Sequence, residues 1–158
     1  MRKKLWQIGA AVVLLAVLGG GALAYLGAEA RVMQLDVDAT QIVIAGQPFD
    51  VWITLENTSD NEQEIVSIGV EDNVQVVEMV PAYRTTEEHA PWLEYVFARQ
   101  RRPILAADER MRLHLRLVAP QTGTATTEVT IWYNNHVRSD YVIVEYTAVP
   151  HPAPWLGR

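Results

Sequence analysis

The residues whose chemistry goes beyond packing are few: four histidines, three serines and four pairs of adjacent or alternate carboxylates. His89, His114, His136 and His151 show no His–His spacing of the metal-binding kind. Met111 and His114 are three apart, so on a strand they face opposite sides and cannot share an ion. Zinc and copper need converging ligands, so no metal ligand is assigned and metal handling is kept as a third alternative. Among the carboxylates, Asp36 and Asp38 would share one strand face, while Glu71-Asp72, Glu87-Glu88 and Asp108-Glu109 are neighbours. No dense Asp/Asn loop accompanies them, as a calcium cage would require, and a solvated face explains them. Ser59, Ser67 and Ser139 lack a nucleophile-elbow setting, no glycine loop is built to cradle phosphate, and there is no Cys. The chain reads as a non-enzyme without a cofactor.

Aromatic and basic side chains are more informative. Trp52 and Trp132 both fall on the polar side of alternating segments. The segment of Trp52 carries Asp50, Thr54 and Glu56 on that side, and a later segment carries Arg110, Arg112, His114 and Arg116. If the two strands pair, their charges match, and an arginine can stack on Trp52. Internal stabilisation of the sheet is one account. The other is a protein-binding face made of Trp52, Arg110, Arg112, His114, Arg116 and Trp132, residue types favoured at interfaces. A second contact candidate is the tail, where Trp155 and Leu156 follow three alternating prolines, Pro150, Pro152 and Pro154. Asn57-Thr58-Ser59 has the form of a glycosylation sequon.

The elements that position these residues are strands. Gly46–Asp60 opens in a turn, alternates strictly, and closes in a polar turn. Phe49, Val51, Ile53 and Leu55 point inward, the signature of a half-buried antiparallel strand. Arg31–Val37 alternates similarly, and Gln41–Ile44 continues the same edge after a kink. Pro48 would block pairing where it stands. Glu64–Glu71 is a strand with Val66, Ile68 and Val70 inward, followed by Val74–Val80. Tyr83–Gln100 is the least regular part. Thr85-Thr86-Glu87-Glu88 has a capping-box pattern that fits a single helical turn, and Trp92–Ala98 reads as a strand. Arg110–Val118 turns Met111, Leu113, Leu115 and Leu117 inward, Thr124–Asn135 does the same with Val129, Ile131 and Tyr133, and Ser139–Val149 is the last strand. The expectation is an all-β, immunoglobulin-like antiparallel β-sandwich of seven to eight strands over residues 31–149, with an extended tail over 150–158.

Composition sets the surroundings. From Arg31 onward there are ten Arg, no Lys and eighteen acidic residues, a net −8, which argues against nucleic acid as a partner. Arg2, Lys3 and Lys4 precede residues 5–28, which carry no charge and are long enough to span ~30 Å of hydrocarbon. Trp6 and Tyr25 lie near the ends of that run, where interfacial aromatics belong. Residues 1–30 therefore read as a signal-anchor, a single transmembrane helix with a cytoplasmic N-terminus and the β domain extracytoplasmic. The competing reading is a cleaved signal peptide, with cutting after Ala24 or Ala30.

Gly46-Gln47-Pro48-Phe49 running into Val51, Ile53, Leu55, Asn57, Thr58 and Ser59 resembles bacterial immunoglobulin-like domains of the cell-adhesion-related, CARDB-like kind. So do Ile104-Leu105 before Glu109, the Leu113-Leu115-Leu117 strand, and Thr122-Gly123-Thr124 before Val129–Tyr133. The chain departs from that pattern at Ala107-Asp108 and in Tyr83–Pro91, which looks inserted. The resemblance implies a scaffold, adhesion or binding module without catalysis, and transfers no functional residue. The leading expectation is an accessory or scaffolding subunit of a membrane or envelope complex with a protein partner. The second is a secreted module that binds carbohydrate or another ligand.

Overall fold

A computed structural model describes residues 32–152. The expected membrane anchor at 1–30, including residues 5–28, and the tail residues Trp155 and Leu156 lie outside the described residues. Among the described residues no helix is long and apolar enough to cross a membrane.

The described residues form strands β1 (Met33–Ala39), β2 (Ile42–Ile44), β3 (Pro48–Asn57), β4 (Gln63–Glu71), β5 (Gln75–Val80), β6 (Thr85–His89) and β7 (Trp92–Val96). A 3-10 turn at Arg99–Arg101 leads to β8 (Ile104–Leu105), β9 (Arg110–Val118), β10 (Gly123–Tyr133) and β11 (Arg138–Val149). One sheet has the order β1-β3-β9-β5. The other runs β2-β11-β10-β4-β7-β6, with β8 also pairing β4. All pairings are antiparallel except β2 on β11, which is parallel.

The alternation in β3 and β9 explains how the sheets stack. Val51, Ile53 and Leu55 of β3 and Leu113, Leu115 and Leu117 of β9 are fully buried, and they form one apolar cluster with Ile65, Ile68, Val129, Ile131 and Val144 of the other sheet. The Phe49 and Tyr146 rings meet across the two sheets at 5.4 Å. Each such side chain gains about 1.5–3 kcal/mol on burial, so the domain needs no disulfide, and none is available.

At the end of β3, Asn57 is wholly buried and ties three loop carbonyls together. Its Nδ2 donates to Asn61 O at 2.7 Å, Leu105 O at 3.0 Å and Ala106 O at 2.9 Å. Its Oδ1 accepts from Ser59 N and Ser59 Oγ at 3.0 and 2.7 Å. A glycan cannot be attached to this amide in the folded domain, so the sequon is a fold-closing motif.

Four expectations change. β2 does not continue the edge of β1 but crosses to the other sheet, where its backbone bonds β11. Pro48 does not block pairing. It is the first residue of β3, opposite Val118, and the β1 partner strand stops short of it at Ala39, opposite Val51. The inward set of β4 is larger than expected. The β10 register jumps from Ser67 to Ile65, a bulge at Val66, so Ile65 joins the core cluster while Val66 is itself fully buried. Finally, Thr85–Glu88 is not a helical turn. It belongs to β6, in which every residue is paired with β7. A lone helical turn would fix several dihedrals for a single hydrogen bond, whereas the hairpin offers a ladder that suits the β-branched Thr85 and Thr86.

Candidate functional site

The stripe foreseen on β3 and β9 exists in the expected register. Trp52 lies opposite His114, Asp50 opposite Arg116, Thr54 opposite Arg112 and Glu56 opposite Arg110. The Trp52 and His114 rings stack at 4.1 Å, with Arg112 Cζ 4.6 Å from the Trp52 ring centroid. His114 Nε2 is 2.8 Å from Asp50 Oδ1, Arg116 reaches Glu78 at 3.8 Å, and Arg110 reaches Glu56 at 2.9 Å. Glu56 raises the Arg110 guanidinium above its ordinary pKa through the hydrogen bond and its charge. The stripe is thus satisfied within its own sheet. Trp132 is not brought to it, because β10 belongs to the other sheet.

On the outer face of that other sheet lies a groove of about 940 Å³ that sequence reasoning did not foresee. Its construction follows from register. One cross-strand row runs Tyr141, Thr130, Gly69, Glu94 and Glu87. A neighbouring row includes Ser139, Trp132 and Ser67. Gly69 lacks a side chain in the middle of its row, and the floor drops there. A Cβ on Gly69 would sit 3.7 Å from both Thr130 Cβ and Trp132 Nε1, in ordinary contact. Trp92, Trp132 and Tyr141 supply aromatic walls.

A polar cluster fills one side. The Glu94 side chain is 12% exposed. Ser67 Oγ donates to its Oε1, and His136 Nε2 is 2.7 Å from the same oxygen. His136 Nε2 also lies 3.1 Å from Ser67 Oγ. His136 reaches this place from a turn in which Asn134, Asn135 and His136 all adopt positive φ, at 52°, 57° and 65°. Asparagine and histidine tolerate that region better than most residues. On the other side of Glu94, His89 Nε2 is 3.4 Å from Oε2 and 3.6 Å from Glu87 Oε2. Glu87, His89 and Glu94 are thus grouped so that a metal ion could be held among them.

Two sequence signals could have revealed the cluster. Glu87 and His89 are two apart, so they share a face on a strand but not on a helical turn. Pro91 also separates two short segments that alternate once they are read as a hairpin. A search for paired histidines passes over such a group, which holds one histidine and two carboxylates.

No family model matches the chain, and no curated protein matches it. Solved structures do. The CARDB domain of a Pyrococcus furiosus protein, described in complex with di-metal ions, is similar at a TM-score of 0.50 and 10% identity, covering 74% of this chain and 87% of that one. A cohesin module from a Clostridium perfringens family 33 glycoside hydrolase is similar at a TM-score of 0.46 and 10% identity, covering 76% and 98%. At such identities the likeness concerns fold alone, and the fold of residues 32–152 is that of a CARDB-like β-sandwich.

Proposed function

We propose that the protein is a membrane-anchored interaction module that presents a non-catalytic β-sandwich outside the membrane, and that it binds its protein partner through the Trp92–Trp132–Tyr141 groove. One observation carries this reading. The β3–β9 stripe consumes its charges internally, whereas the groove leaves aromatic side chains open beside a fixed carboxylate. Tyr141 is 62% exposed and Trp92 is 38% exposed. Aromatic residues in a concave, desolvatable site are where binding energy concentrates. The CARDB-like fold supports a binding role, and the uncharged segment at 5–28 supports the anchor.

A photo-reactive amino acid placed at position 141 of the full chain, in its native membranes, tests the reading. Cross-links to a defined partner are expected at position 141, and Trp132→Ala should abolish them. Position 38, on β1 opposite Trp52, should give none. Cross-links at 38 and none at 141 would transfer the binding face to the first sheet.

The same aromatic walls favour a second reading, a secreted module that binds an oligosaccharide by stacking sugar faces on Trp92 and Trp132. Saturable quenching of tryptophan fluorescence by envelope oligosaccharides, lost in Trp132→Ala, would replace the protein partner with a glycan.

A further inference from the structure

Glu87 and Glu94 are direct cross-strand partners in the β6–β7 hairpin. Like charges in that relation destabilise a sheet pair, and something must offset them. His89 stands between them, two residues after Glu87 on the same strand face. Its Nε2 is 3.6 Å from Glu87 Oε2 and 3.4 Å from Glu94 Oε2. These separations are long for hydrogen bonds. They match the ligand–ligand edges of a tetrahedral site, about 3.3–3.6 Å when the metal–ligand bonds are about 2.0–2.2 Å. We propose that Glu87, His89 and Glu94 form a binding site for a divalent transition-metal ion of the zinc class, with the fourth position open to the groove.

The ligand chemistry selects the ion. One imidazole and two carboxylates suit zinc. Calcium and magnesium prefer all-oxygen shells, and a copper(I) site needs sulfur ligands. Glu94 is already oriented for the task. Its Oε1 is held by Ser67 Oγ and by His136 Nε2 at 2.7 Å, which leaves Oε2 directed at His89. Outer-sphere hydrogen bonds of this kind fix a ligating carboxylate and tune its affinity. His136 and Ser67 are therefore positioning residues rather than ligands. An ordinary solvated cluster of charges would have no need for a carboxylate clamped on one oxygen by two side chains. Glu87, His89 and Glu94 line the same groove as Trp92 and Trp132, so a water completing the shell would be exchangeable for a donor atom of whatever enters the groove.

The test uses the full chain without a histidine tag, in detergent micelles, stripped by chelator. Zinc is titrated calorimetrically and cobalt is followed by absorption. The expected result is one zinc per chain and a tetrahedral cobalt spectrum. His89→Ala should abolish saturable binding while the metal-free chain still unfolds in one cooperative transition, at a temperature lowered by the unscreened Glu87–Glu94 repulsion. His136→Ala should keep the stoichiometry and weaken affinity about 10- to 100-fold, and His136→Gln, which retains an N–H donor, should recover part of that loss. No saturable binding by the wild-type chain, or undiminished binding by His89→Ala, would overturn the site. Undiminished affinity in His136→Ala would overturn the positioning role. Because zinc is added to the free chain, failure here leaves the partner role of the groove standing.

Discussion

Asn57 illustrates how one side chain can close a fold. Its amide donates to the carbonyls of Asn61, Leu105 and Ala106 and so ties two separate stretches of chain to the end of β3. Asn57→Ala removes these bonds and the two that Ser59 donates to Asn57 Oδ1, each worth about 0.5–1.5 kcal/mol. The expected loss is about 3 kcal/mol or more, read as a lowered urea midpoint with an unchanged slope. Tyr95 ties stability to pH. Burial, then the nearby Tyr83, pushes its hydroxyl up to about 12, against an opposing backbone hydrogen bond from Val76. The two rings meet edge to face at 4.9 Å. The folded state therefore holds this proton more tightly than the unfolded chain, whose tyrosines ionise near pH ~10. The resulting stabilisation is complete below pH ~10 and is lost as pH rises toward 12, on the order of 2–3 kcal/mol in all. Tyr146 is shifted the same way by burial, then by Glu71. Denaturant titrations between pH 9 and 12 should show the decline, and Tyr95→Phe should flatten part of it.

At the scale of elements, the β3–β9 pair was legible because its two alternations are strict and their outer charges are opposite. Trp52→Ala removes a stack on His114 and a contact with Arg112. It should lower stability by about 1–2 kcal/mol, and groove cross-links should persist; loss of those cross-links at unchanged stability would instead make the stripe the interface. Other elements were not legible for physical reasons. A period of two gives a residue's face but not its sheet, so Trp52 and Trp132 looked alike although β3 and β10 lie in different sheets. A bulge reverses parity without a glycine or proline to mark it, so alternation alone leaves Ile65 off the core face although it is fully buried. The β6–β7 cluster depends on which residues oppose one another across a turn: the two-residue spacing puts Glu87 and His89 on one strand face, but the opposition of Glu87 and Glu94 follows only from the hairpin register.

For the whole molecule, the sequence established an all-β domain with a self-sufficient core, and the sandwich bears this out over residues 32–152. Under the proposed topology the mature chain retains its first residues apart from Met1 processing. Mass spectrometry of the membrane-extracted protein should therefore find peptides from residues 5–28, whereas a mature start at Tyr25 or Arg31 would make it a secreted protein. The parallel contact between β2 and β11 carries a mechanical consequence. Ile42–Ile44 lies alongside Thr147–Val149, and the patch is flanked by Thr147 N donating to Gln41 O at 2.7 Å and Ala45 N donating to Val149 O at 2.9 Å. Tension between residue 32 and residue 152 pulls these two strands along their length in opposite senses. The bonds between them are loaded in shear and must yield together, whereas an antiparallel hairpin pulled from its open end unzips one bond at a time. A short strand that contributes little to the core thus becomes the part of the domain that bears force.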